Sequence, residues 1–181
     1  EGRCGFPADW APALQPGDVN RTFERLTQLE ELDVEVFSSD PWVVLVRGAM
    51  REDEIETLLR ERSWQRASDT GSVGADGRAT HVFSGNRKTD VHWCGAGCIK
   101  EPPTGRLISR IAEMLRVHPH YFELPQLLRY HPDMYYKTHH DAAGPPKEHL
   151  GTRIYTAFAY LSSVEEGGHT EFPRLRLTVK P

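Results

Sequence analysis

Tyr135-Tyr136-Lys137-Thr138-His139-His140-Asp141 is the stretch around which the rest of the chain is organised. Extended backbone sends residues i and i+2 to one face. A strand through this stretch therefore projects the His139 imidazole and the Asp141 carboxylate into one pocket, while His140 points the other way and reads as structural. An imidazole and a carboxylate are two of the three ligands of the facial triad that holds Fe(II). The same triplet also suits a solvated polar strand end, since a chain with nine histidines forms a His-x-Asp pair readily by chance. The flanking sequence decides between the two.

Outward from that stretch the grammar is that of short strands. Gln126-Leu127-Leu128-Arg129-Tyr130 leads through a turn at His131-Pro132-Asp133 into Tyr135–Asp141. Ala142 to Gly151, with Gly144-Pro145-Pro146, reads as a loop, and Arg153 to Leu161 predicts the best strand of the chain. Gly167-Gly168 turns into His169–Phe172, and Leu175 to Val179 alternates as a further strand.

The first half is mainly helical. Val19, Phe23, Leu26 and Leu29 fall at helical spacing and predict an amphipathic helix to about Leu32. Val34 to Phe37 alternates less cleanly, and Trp42 to Val46 reads as a buried strand. Arg51 to Arg62 predicts a second helix, with Glu52, Asp53 and Glu54 at its positive end and Ile55, Leu58 and Leu59 on its apolar face. Residues 68–80 hold three glycines and read as a mobile loop, either plain surface or a substrate lid. Thr104 is expected to cap a third helix with the stripe Leu107, Ile108, Ile111, Met114 and Leu115, stopped at His118-Pro119. Helices followed by strands indicate an α+β fold, with helices packed on one sheet of a β-sandwich or barrel. Residues 1–40 form an N-terminal extension with a helix, beginning in a proline-punctuated lead-in at Pro7, Pro12 and Pro16, and 41–181 the main domain.

Composition excludes several classes. Apolar residues at 38% and charged residues at 27% are those of a globular chain rather than a disordered one. A net charge of −4 without a Lys/Arg run gives no basic field for nucleic acid. No apolar run approaches the roughly 18 residues of a membrane span. Three cysteines make no disulfide framework. Cys94 and Cys98, in Trp93-Cys94-Gly95-Ala96-Gly97-Cys98, lack a second pair at zinc spacing and are either a local disulfide or two free thiols.

Four motifs occur in fixed order: Glu123 to Tyr130; Tyr136 to Asp141; Arg153-Ile154-Tyr155-Thr156 through Tyr160-Leu161; and Glu166-Gly167-Gly168-His169-Thr170-Glu171-Phe172-Pro173. In this order they resemble the catalytic domain of prolyl 4-hydroxylases, within the 2-oxoglutarate- and Fe(II)-dependent dioxygenases. Gly85-Asn86-Arg87-Lys88-Thr89 and Trp93-Cys94 look like a loop of the same family, so the specific part runs from Arg87 to Pro181. The resemblance implies a double-stranded β-helix, or jelly-roll, with the metal in its mouth, held here by His139 and Asp141. It places the hydroxyls of Tyr130 and Thr170 on 2-oxoglutarate, and Tyr136, Arg153 and Glu123 near the peptide, with Arg87 in the loop that closes over it. It further implies Fe(II), 2-oxoglutarate and O₂, ascorbate as reductant, and a proline-containing peptide or protein as substrate. Oxidative decarboxylation of the oxo acid would then drive hydroxylation of proline at C4.

Each residue also has a plainer reading. Tyr130 and Tyr136 suit core or rim aromatics, Arg153 a surface ion pair, and Thr170 a β-former beside the Gly-Gly turn. Two other functions share the motifs: hydroxylation of lysine or another side chain, and a peptide-binding module without chemistry. In the family the second metal His and the cation that grips the oxo acid's distal carboxylate come from strands after the point matching Pro181. Neither His149, in a proline-rich loop, nor His169 substitutes for that His, so the expectation is a chain that continues past Pro181, with the last strands of the domain missing here. The Cys94/Cys98 pair and the resemblance to secretory-pathway hydroxylases point to the endoplasmic reticulum or secretory pathway.

Overall fold

A computed structural model describes residues 13–60, 62–67, 70–73, 79–82, 85–142 and 152–181. Pro7, Pro12, the tip of the glycine-rich stretch at 74–78, and the segment bearing Gly144-Pro145-Pro146 and His149 lie outside the described residues. The element order is α1 (Asp18–Leu26), β1 (Asp33–Ser39), β2 (Trp42–Arg47), α2 (Glu52–Leu59), β3 (Gln65–Arg66), β4 (Thr70–Val73), β5 (Ala79–Val82), β6 (Arg87–Lys88), β7 (Asp90–Trp93), α3 (Ala96–Ile99), α4 (Pro102–Leu115), β8 (Gln126–Arg129), β9 (Tyr135–Tyr136), β10 (Thr170–Phe172) and β11 (Leu177–Val179). Helices and strands thus mix as an α+β arrangement. The described strands form small antiparallel sheets: β1-β2, β4-β5, β6-β9, β10-β11 and the three-stranded β3-β7-β8. No helix among the described residues is long and apolar enough to cross a membrane.

Several expectations shift in detail. α1 ends at Leu26 rather than Leu32, because the Thr27 hydroxyl donates to the Glu24 carbonyl oxygen at 2.7 Å and competes with helical continuation. Trp42–Arg47 is a strand, but only half-buried, since it pairs with β1 in a two-stranded hairpin rather than lying inside a sheet. Within the expected loop at 68–80, Thr70–Val73 and Ala79–Val82 pair as a hairpin. Thr104 does not cap α4; the helix starts at Pro102-Pro103, whose missing N–H groups suit a first turn, and Thr104 lies buried one step inside. The strand expected over Tyr135–Asp141 is confined to Tyr135–Tyr136. Arg153 to Leu161 joins no described sheet: no described strand takes its backbone hydrogen bonds, and Ile154 and Phe158 stay exposed.

Cys94 and Cys98 form a disulfide, with Cα atoms 5.1 Å apart. Both cysteines are buried and join Leu58 of α2 and Leu127 of β8 in the core, with Met50, Trp64, Ile99, Leu107 and Leu161 packed around them. The ring therefore ties the helical half to the strand that leads into the His139 segment. A charged clamp fixes the helices above it. Glu54 is fully buried, accepts from the Arg51 amide at 2.9 Å, and takes both Nη groups of Arg110 at 2.7 and 2.8 Å. Hydrogen bonding to Arg110 holds its carboxyl down at about 2, against the opposing effect of burial.

Candidate functional site

Local turn chemistry positions the site. β8 leaves the three-stranded sheet, turns at Pro132-Asp133 with Asp133 in the left-handed region (φ 66°), and returns as β9. β9 pairs with β6, setting Arg87 opposite Tyr136, and the Lys137 amide extends the ladder to Asn86 O at 2.9 Å. On this platform the Arg87 guanidinium lies 4.7 Å over the Tyr136 ring. Tyr136 in turn stacks on the His139 imidazole, with centroids 3.7 Å apart and planes 15° from parallel. Cation, phenol and imidazole form one column.

His139 and Asp141 converge although the backbone between them is not a strand. Nε2 of His139 lies 3.1 Å from Oδ1 of Asp141, each side chain about 40% exposed. The other ring nitrogen, Nδ1, is 2.7 Å from the Lys137 carbonyl oxygen. A carbonyl only accepts, so this contact calls for a proton on Nδ1 and directs Nε2 at the carboxylate. Two arrangements satisfy this contact: an Nε2–H donating to Oδ1, or a metal ion held by the Nε2 lone pair and the carboxylate together. The Nε2–Oδ1 separation matches the edge of about 3 Å spanned by neighbouring donors that each lie about 2.1 Å from a divalent ion. The donor set suits a metal of the Fe(II) class. Among the described residues, no third His, Cys, Asp or Glu completes a group around them.

A bracing segment holds Asp141 from the other side. Arg153 grips Glu123 through Nε and Nη2, the latter at 2.9 Å, and its Nη1 reaches the Asp141 main-chain oxygen at 3.4 Å. The hydrogen bonds with Glu123 push the Arg153 pKa further up. Thr156 Oγ1 donates to Asp141 Oδ2 at 2.5 Å. Tyr130 sits at the near edge, its pKa pushed up by burial while a hydrogen bond with Thr89 and the Arg87 charge oppose. Its hydroxyl therefore remains a proton donor through neutral pH.

Arg87, Tyr136, His139, Asp141, Arg153 and Glu123 thus form one unbroken run of contacts, with Tyr130 beside Arg87. Thr170 lies on the β10-β11 pair, its hydroxyl 2.8 Å from that of Tyr160, which also donates to Val179 O at 2.9 Å. Thr156 and Tyr160 escaped the sequence reading as site residues.

The chain is similar to the alpha-3 subunit of prolyl 4-hydroxylase from Bos taurus, 31% identical over 158 residues, covering 80% of this chain and 27% of that protein. The human alpha-3 subunit is 28% identical over 165 residues, covering 83% and 28%. Prolyl 4-hydroxylase 1 of Arabidopsis thaliana is 41% identical over 66 residues, covering 35% and 23%. The chain spans about a quarter of the length of these curated relatives. No family model matches it. No solved structure matches it. Across four-fifths of its own length, the sequence is similar to a prolyl 4-hydroxylase subunit.

Proposed function

We propose that this chain belongs to the catalytic domain of a prolyl 4-hydroxylase, an Fe(II)- and 2-oxoglutarate-dependent dioxygenase acting on proline-containing peptides with ascorbate as reductant. The observation that carries the reading is the convergence of His139 Nε2 and Asp141 Oδ1 at 3.1 Å, in a chain similar to prolyl 4-hydroxylase subunits. Residues 41–181 belong to that domain, and the architecture we infer for it is a double-stranded β-helix with the helices against one sheet. The Cys94–Cys98 bond supports an oxidising compartment, the endoplasmic reticulum or secretory pathway.

In this reading His139 and Asp141 hold the metal. Bound Fe(II) with 2-oxoglutarate and O₂ supplies the oxidation that replaces a proline C4 hydrogen by hydroxyl, the oxo acid leaving as succinate and CO₂. The chain's residues position what reacts. Lys137 O fixes the His139 tautomer, and Tyr136 stacks on its ring and stops it rotating. Tyr130 and Thr170 donate to the carboxylates of the oxo acid. Tyr136, Arg87, Arg153 and Glu123 line the peptide side.

The test incubates the full-length protein with Fe(II), 2-oxoglutarate, ascorbate and a panel of proline-rich and lysine-rich peptides, and locates the mass gain of one oxygen by tandem mass spectrometry. Hydroxylation of proline is expected. Oxygen on lysine alone overturns the substrate, and no product with any peptide overturns the enzymatic reading.

A further inference from the structure

The two oxygens of the Asp141 carboxylate have different partners. Oδ1 faces His139 Nε2 at 3.1 Å, whereas Oδ2 accepts from the Thr156 hydroxyl at 2.5 Å. An ionised carboxylate has no proton to give, so the donor is the threonine, and such charge-assisted bonds are roughly twice as strong as neutral ones. Three residues earlier in the same segment, Arg153 reaches the Asp141 main-chain oxygen while held by Glu123. One short segment therefore grips Asp141 at both its backbone and its side chain. Without that grip the terminal carboxylate torsion is broad and two-fold, and the group offers either oxygen or both.

The geometry points to Thr156 as a positioning residue: its hydroxyl occupies Oδ2, so that a divalent metal ion beside His139 meets Oδ1 alone. The inference rests on the reading of His139 and Asp141 as metal ligands. It gives the Arg153–Thr156 segment a purpose separate from peptide contact. Presenting one oxygen conserves coordination positions, which a site that must also admit a bidentate oxo acid and O₂ requires. Thr156 is exposed, so the hydroxyl can be removed without opening a cavity.

The experiment is Mn(II) titration of the full chain, followed by water-proton relaxation, for the wild type, Thr156→Val and Thr156→Ser, with folding checked by far-UV circular dichroism. The Co(II) ligand-field spectrum of each serves as a readout of geometry. Thr156→Val is expected to bind Mn(II) about tenfold more weakly and Thr156→Ser within about twofold of wild type, the range of a lost or kept partner to a metal ligand. The Co(II) spectrum should change in the valine variant and be restored in the serine variant. Equal Mn(II) affinity in Thr156→Val and a binding wild type overturns the inference and leaves the metal reading intact. A wild type that binds no Mn(II) overturns both. If the valine variant does not fold, Thr156→Ala repeats the deletion, and a serine variant as weak as either deletion also overturns the inference.

Discussion

Glu54→Gln preserves the shape of the side chain that joins α2 to α4 and removes its charge. In the native structure the carboxylate is fully buried, and Arg110 is the main reason its pKa falls from 4.5 to about 2. At about 1.4 kcal/mol per unit, that displacement sets a ceiling of about 3 kcal/mol on the stabilisation. Arg110 keeps 24% of its side chain exposed, and screening there lowers the expected contribution to about 2 kcal/mol. The folded pKa lies below the unfolded one, so the contribution is fully present above the unfolded value and is lost as pH falls towards about 2. Urea unfolding by far-UV circular dichroism should show the variant less stable by about 2 kcal/mol at about pH 7, and by less than half that at about pH 3. A gap of the same size at both pH values would refute the reasoning, because the loss would then not come from the carboxylate's charge.

Reducing the Cys94–Cys98 ring should lower stability by about 2 kcal/mol, the loop-closure entropy of so short a ring, seen as a lower melting temperature with reductant. An unchanged melting temperature contradicts this. Tyr130→Phe should raise the KM for 2-oxoglutarate about tenfold, the loss of a hydrogen bond to a carboxylate, while leaving Mn(II) affinity unchanged. An unchanged KM removes Tyr130 from the oxo-acid site.

What the sequence revealed follows the range of the interactions involved. The β8–turn–β9 unit was legible because Pro132 and Asp133 encode the turn locally and the alternation around them is short-range. Arg153–Leu161 has the composition of a strand, yet a strand needs a partner, and among the described residues it has none. His139 and Asp141 were brought together by an i, i+2 argument. The structure reaches the same meeting by stacking Tyr136 on His139 and tying Nδ1 to Lys137 O, not by β-geometry. Glu54 was read only as an acidic residue at a helix start; its partner Arg110 lies 56 residues away, beyond any local pattern. Thr156 and Tyr160 stood inside a quoted motif without a role, because each depends on a partner, 15 and 10 residues away, whose position only the fold supplies.

The central claim is that His139 and Asp141 hold the metal for an oxo-acid-driven hydroxylation. Its most direct test is succinate release from 2-oxoglutarate in the presence of Fe(II), O₂ and a proline-rich peptide, compared between the wild-type full-length protein, His139→Ala and Asp141→Ala. The account predicts Fe(II)-dependent succinate release from the wild-type full-length protein, falling to background when either substitution is made in it while the circular dichroism spectra stay native. Undiminished release from either folded variant would contradict it.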